Sequence, residues 1–123
     1  RRLLEAWKTG REHIRRFEPY DLEEFEFVPV VHDPAIVTHD GHASAWKRDG
    51  EVLLLVANLR DRAEDMRVIP RPVITGELSG GSLEITVGGT EPQVVGEGAW
   101  MQVLREVDVP AEDFVLVHMK RLD

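Results

Sequence analysis

The first seventeen residues carry apolar side chains at the spacing of one helical face. The intervals between these side chains are four, seven and three residues, which a helix of about 3.6 residues per turn brings into one stripe. Pro19 follows, and the residue before a proline is driven out of the helical region. The pattern predicts an amphipathic helix over residues 1–17. Its stripe consists of Leu3, Trp7, Ile14 and Phe17.

From Phe25 onward, short alternating or wholly apolar segments are separated by turn residues. Asp49-Gly50 predicts a tight hairpin, and Gly80-Gly81 and Gly88-Gly89 predict two more. Val52–Ala57 is apolar on both faces, which is typical of a central strand. The predicted strands are Phe25–Val31, Ala43–Lys47, Glu51–Leu59, Asp65–Ile69, Val73–Leu78, Ser82–Val87, Trp100–Val109 and Phe114–Arg121.

This spacing predicts a mainly β fold, and strands of this length are typical of a sandwich or a barrel. We expect an antiparallel β-sandwich of seven to eight strands preceded by one amphipathic helix, with no helix after residue 20. The chain begins inside the helical pattern without a capping residue. Residues 1–20 are therefore expected to be the end of a truncated upstream domain, and residues 21–123 the sandwich.

Composition and charge narrow the possible partners. The net charge is −8, and residues 1–17 carry six basic and two acidic side chains, so the chain is basic only at its start. The acidic remainder of the chain would repel the phosphates of nucleic acid. It would also attract the basic helix, which favours docking of that helix on the same chain. The longest apolar run, Val52–Ala57, is too short to cross a membrane. The absence of cysteine excludes thiol catalysis and disulfides.

Three histidines form the densest polar cluster in the sequence. His32, His39 and His42 lie near Asp33 and Asp40, and imidazole and carboxylate groups are ligands that Zn²⁺ prefers. The spacing matches no metal signature, so solvated turn residues are the alternative. No cofactor is expected.

The other polar motifs predict no catalysis by this chain. Asp21, Glu23, Glu24 and Glu26 offer carboxylates, as glycoside hydrolysis requires, but a charged edge strand explains them equally. We find no phosphate-binding glycine loop and no serine in a nucleophile elbow.

Two tryptophans are candidates for sugar binding, because an indole face can stack on a pyranose ring. Trp100 follows Gly98-Ala99 and is expected to be the more exposed. Trp46 lies beside the central strand, where core packing is the alternative.

The segment Trp46–Asp61 resembles part of a known domain. A strand, a tight turn, an aliphatic strand and a terminal Asn58 are similar to the C-terminal β-sandwich of glycoside hydrolases with a (β/α)₈ barrel. The order of the chain is similar too: a helix with Trp7, a connector over Phe17–Glu24, and a closing loop and strand over Val109–Val117. In that family the catalytic carboxylates lie on the barrel, so the resemblance assigns none to this chain.

The resemblance implies a non-catalytic accessory domain of a carbohydrate-active enzyme, with a structural or substrate-supporting role. Its partner would be the upstream barrel of the same chain, and a glycan is possible. The alternative is a free-standing module that binds a carbohydrate or a protein. Such a module has no need of a truncated helix at its start, so the helix over residues 1–17 distinguishes the two hypotheses.

Overall fold

A computed structural model describes residues 16–20, 22–28, 34–39, 41–96 and 98–122. Most of the predicted N-terminal helix lies outside these ranges. The described residues form ten strands, two short α-helices and a 3₁₀ turn at Leu22–Glu24. The strands are β1 (Glu26–Phe27), β2 (Ala35–Val37), β3 (His42–Arg48), β4 (Glu51–Ala57), β5 (Glu64–Met66), β6 (Val68–Pro70), β7 (Ser82–Val87), β8 (Gln93–Val95), β9 (Val107–Val109) and β10 (Phe114–Leu122), and the helices are α1 (Pro72–Leu78) and α2 (Trp100–Val103).

Six strands form the main sheet in the order β1-β3-β4-β10-β7-β8, and every pairing is antiparallel. The Asp49-Gly50 hairpin joins β3 to β4, and Gly50 has φ +70°, a conformation that favours glycine. Gly88-Gly89 joins β7 to β8. The predicted mainly β antiparallel fold, both of these hairpins and the internal position of Val52–Ala57 are confirmed.

One face of the main sheet, the core face, packs on the rest of the domain. Val52, Leu54 and Val56 of β4 alternate toward it. Two small antiparallel sheets, β2-β6 and β5-β9, cover it together with both helices. The buried side chains that these smaller elements contribute are Ala35, Met66, Val68, Ile74, Leu78, Trp100, Val107 and Val109.

The prediction of no helix after residue 20 is wrong. Val73–Leu78 lies within α1, where Pro72 occupies the first turn and Ile74 and Leu78 are buried four residues apart. Gly80-Gly81 therefore leads from a helix to β7 and forms no hairpin. The predicted strand Trp100–Val109 is α2 followed by β9, and the predicted strand Asp65–Ile69 is the two short strands β5 and β6. Neither helix has the length or apolar content that a membrane span needs.

The opposite face of the main sheet is covered by the chain that leads into β1. We call this the connector face, and we call the described residues of 16–25 the connector. Leu53, Phe114 and Leu116 are buried on this face. The connector packs Phe17, Tyr20, Leu22 and Phe25 against them, and Trp46, Leu55 and Ala57 complete this second hydrophobic cluster.

Candidate functional site

A line of charged side chains crosses the connector face beneath the connector. Arg48 ends β3 and Glu51 begins β4, so the hairpin places them opposite each other. Glu51 also faces Lys120 of β10, and His118 lies two residues earlier on that strand. Because residues two apart share a face of a strand, Glu51 and His118 are diagonal neighbours on the sheet.

Short polar contacts join these residues to the connector. His118 Nε2 lies 2.6 Å from Glu51 Oε2, and Arg48 Nε donates to Glu51 Oε1 at 2.8 Å. Arg48 Nη1 then donates to Glu24 Oε2 of the connector at 2.8 Å. Because an ionised carboxylate only accepts hydrogen bonds, Nε2 of His118 must carry a proton. Glu51 is thus held by a donor on each oxygen.

The surroundings of Glu51 favour its ionised form. Burial raises the pKa of Glu51, while hydrogen bonds from Arg48 and His118 lower it. The result is a pKa below the ordinary value of 4.5. Glu51 therefore stays charged although only 6% of its surface is exposed.

Aromatic rings of the connector cover this polar line. The Tyr20 ring lies 5.0 Å from the His118 ring, and the Arg48 guanidinium lies 4.5 Å above the Phe25 ring. Burial raises the pKa of Tyr20. These rings limit access of water and of substrates to the Glu51–His118 pair.

The polar line joins the connector to the sheet through the contact between Arg48 and Glu24. Thr86 of β7 is opposite His118, but no hydrogen bond joins its hydroxyl to the described imidazole, so the hydroxyl is not prepared as a nucleophile. Across the described ranges, no three His, Asp or Glu side chains are placed to hold a metal ion.

A second contact holds the start of the connector. Arg16 donates to both oxygens of Asp113, at 2.7 and 3.0 Å, and to the Phe114 carbonyl at 2.7 Å. Phe17 stacks on Phe114 with ring centroids 5.9 Å apart and meets the edge of Trp46 at 5.4 Å. Forked Arg–carboxylate pairs fix geometry as well as charge, so this contact sets where the chain reaches the sheet.

Two cavities flank Phe114 on the connector face. One of about 420 Å³ lies between Arg16, Tyr20 and the Gly88-Gly89 turn. The other, of about 290 Å³, is lined by Leu55, Ala57, Asn58, Leu59, Glu112, Asp113 and Phe114. Both are concave parts of this face that lie beside Phe114.

Asn58 at the end of β4 orders the loop after it. Its Oδ1 accepts from the Arg60 amide at 2.9 Å, and its Nδ2 donates to the carbonyls of Arg62, Val109 and Pro110 at 2.8, 3.1 and 3.3 Å. Asn58 thus bonds the backbone of the turn that follows it.

The two tryptophans predicted to bind sugar lie on opposite sides of the main sheet, Trp100 in the core and Trp46 on the connector face. Trp100 begins α2 and is only 5% exposed, so the prediction of an exposed platform there is wrong: the indole fills the core beneath the small sheets. Trp46 is half-buried on the connector face, between Phe17 and Phe27, whose ring lies 5.4 Å away. Phe27 is 44% exposed, so this pair presents an aromatic edge to solvent.

The histidine cluster is only partly described. His39 is exposed in a turn with φ +56°, and His42 is exposed at the start of β3. His32 lies outside the described residues, so the proposed metal site stays a prediction. Of the acidic stretch, Glu23, Glu24 and Glu26 are exposed, and Asp21 is not described.

The pairing of Glu51 with His118 was not predicted from the sequence. His118 lies within β10, opposite Leu53. The available signal was a polar residue in each of two mostly apolar strands, Glu51 in β4 and His118 in β10, at positions that an antiparallel pairing brings together.

The chain was compared with known proteins at the level of families, sequences and structures. None of the protein-family models, curated proteins or solved structures compared with the chain matches it.

Proposed function

We propose that this chain is a non-catalytic accessory β-sandwich of a carbohydrate-active enzyme of the glycoside hydrolase type. Its role would be to pack against an upstream barrel domain and support it. The proposal rests on the resemblance of Trp46–Asp61 and of the element order to the C-terminal sandwich of such enzymes.

One observation carries this proposal: the connector face is a second apolar surface. Leu53, Phe114 and Leu116 are buried there, and the connector supplies Phe17, Tyr20, Leu22 and Phe25 of the side chains packed against them. A sheet with one face on its own core and the other under the incoming chain is suited to join two domains, because both faces then bury apolar area.

The test is an assay of the whole chain on a panel of chromogenic glycosides. We expect no turnover above buffer. Turnover that persists through purification and is lost in Glu51→Gln or Glu24→Gln would overturn the proposal. Glu84→Gln, on the same face and outside the polar line, is the matched control.

The aromatic edge formed by Phe27 and Trp46 supports a second candidate, a carbohydrate-binding module. Its exposed ring could stack on a sugar. Binding to an immobilised glycan array that is lost in Phe27→Ala but kept in Ile69→Ala, an exposed apolar control on β6, would favour the module. An accessory domain with a purely structural role would show no such binding.

A further inference from the structure

Beside the buried Phe114, three apolar side chains of the connector face remain partly or largely exposed. We define the Phe114 strip as Leu55, Ala57, Leu59 and Phe114. Leu59 is 69% exposed, and Leu55 and Ala57 are half-buried. These residues line the cavity of about 290 Å³. Covering Leu59 and its half-buried neighbours would be favourable, because it removes apolar surface from water.

The point of entry of the chain lies beside this strip. Arg16 is fixed to Asp113 and to the Phe114 carbonyl, and residue 15 can be only about 3.8 Å further along the chain. A helix of fifteen residues spans about 22 Å, or four to five strands at about 4.8 Å each. Residues 1–15 therefore end beside the strip, and as a helix they would be long enough to cross the sheet.

The orientation of Phe17 shows which face of such a helix would meet the sheet. Arg16 has helical conformation, and Phe17 packs its ring on Phe114 and Trp46. Ile14 precedes Phe17 by three residues, and positions three or four apart share a helical face. A helix continued toward the N-terminus would therefore turn Ile14, Trp7 and Leu3 toward the sheet.

Charge favours the same contact. Residues 1–15 carry five basic and two acidic side chains, a charge of +3, which leaves −11 for residues 16–123 of the total −8. Glu112 and Asp113 line the same cavity as the strip. The positive segment and the negative remainder of the chain attract each other at close range.

We propose that the Phe114 strip is the docking site of residues 1–15 of the same chain, with the stripe of Leu3, Trp7 and Ile14 against it. This inference does not depend on the carbohydrate role, because it uses only the contacts of the described residues and the pattern of the segment. It adds a covering layer to the sheet.

The test exploits the absence of cysteine from the chain. A nitroxide spin label attached at Leu59→Cys broadens the amide NMR signals of nearby residues, and the effect falls steeply with distance. We expect the signals of residues 3–14 to lose most of their intensity. A label at Ile69→Cys, on the small β2-β6 sheet across the core, is the control and should leave them unchanged.

Two further measurements distinguish docking within one chain from contact between two copies and from misfolding of the labelled variant. Mixing labelled protein with isotope-enriched unlabelled protein should give no broadening. Broadening in the mixture would show that a second copy covers the strip and would overturn the proposal, as would unchanged signals with both labels. If Leu59→Cys fails to fold, a label at Lys8→Cys should broaden Leu55 and Ala57 instead.

Discussion

Glu51 and Asn58 are the two buried polar side chains of the described residues, and each is held by hydrogen bonds on more than one atom. Glu51 joins β3, β4 and β10 through Arg48 and His118. Asn58 joins the end of β4 to the loops before β5 and β10. A buried polar group is costly unless bonded, so these two residues specify where strands and loops meet.

Replacement of Glu51 should change how stability depends on pH. The folded pKa of Glu51 lies below 4.5, so its ionised form stabilises the fold above that pH, and the contribution is lost as the pH falls through the folded pKa. Glu51→Gln should cost roughly 1–3 kcal/mol at neutral pH. Urea unfolding from neutral pH to about pH 3 should show the variant and wild-type curves converging in acid.

Glu84→Gln is the control for this experiment. Glu84 lies on β7, on the same face, and forms no ion pair with the described residues. Its curve should run parallel to that of the wild type. If Glu51→Gln also stays parallel, Glu51 does not contribute through its charge.

Replacement of Asn58 should destabilise the domain, because its side-chain amide donates to three backbone carbonyls. Asn58→Ala leaves the Arg60 amide and three carbonyls without their partner and should cost about 2–3 kcal/mol in urea unfolding. Asn58→Asp keeps the acceptor for Arg60 but turns a carboxylate toward carbonyl oxygens, so it should cost at least as much at neutral pH. An aspartate as stable as wild type would contradict this role of Nδ2.

At the scale of elements, the sequence predicted strands better than helices. Asp49-Gly50 and the apolar run Val52–Ala57 are strong local signals, and both matched. The helix α1 was missed because Val73, Ile74 and Thr75 are β-branched and favour strands by propensity. Its burial of Ile74 and Leu78 against the core outweighed that preference.

The contacts that form the site could not be predicted in the same way. Glu51 and His118 are 67 positions apart, and only the register of β4 with β10 brings them together. Trp100 was misplaced because a four-residue helix is too short to show periodicity. Local patterns therefore predicted the hairpins and the central strand, while the polar line depended on tertiary pairing.

Two glycines near the end of α1 offer a clean test of backbone conformation. A Cβ at Gly76 or at Gly80 would meet no atom within 4 Å, but Gly80 has φ +99° and Gly76 is helical. Gly76→Ala should stabilise the domain by about 0.5–1 kcal/mol. Gly80→Ala should destabilise it, since alanine is strained at positive φ. Thermal unfolding of both variants measures the difference, and equal effects would contradict this assignment of α1.

For the molecule as a whole, the sheet order predicts where the fold opens first. β4 and β10 have partners on both sides, whereas β1 and β8 are short edge strands. Amide hydrogen exchange should therefore be slowest in β4 and β10 and fastest in β1 and β8, because local openings begin where few contacts must break. Exchange in β10 as fast as in β8 would mean that the sheet is not the stable unit.

The position of β10 has a consequence for how the protein is made. A ribosome delivers residues 114–122 after every other described strand, yet β10 must insert between β4 and β7. Until it emerges, the aliphatic edge of β4 has no partner on that side, and unpaired edges of nascent chains invite aggregation. Chaperones that bind nascent chains would therefore be expected to bind at this edge of β4. A chain that ends before residue 114 would lack β10 and could not complete the main sheet.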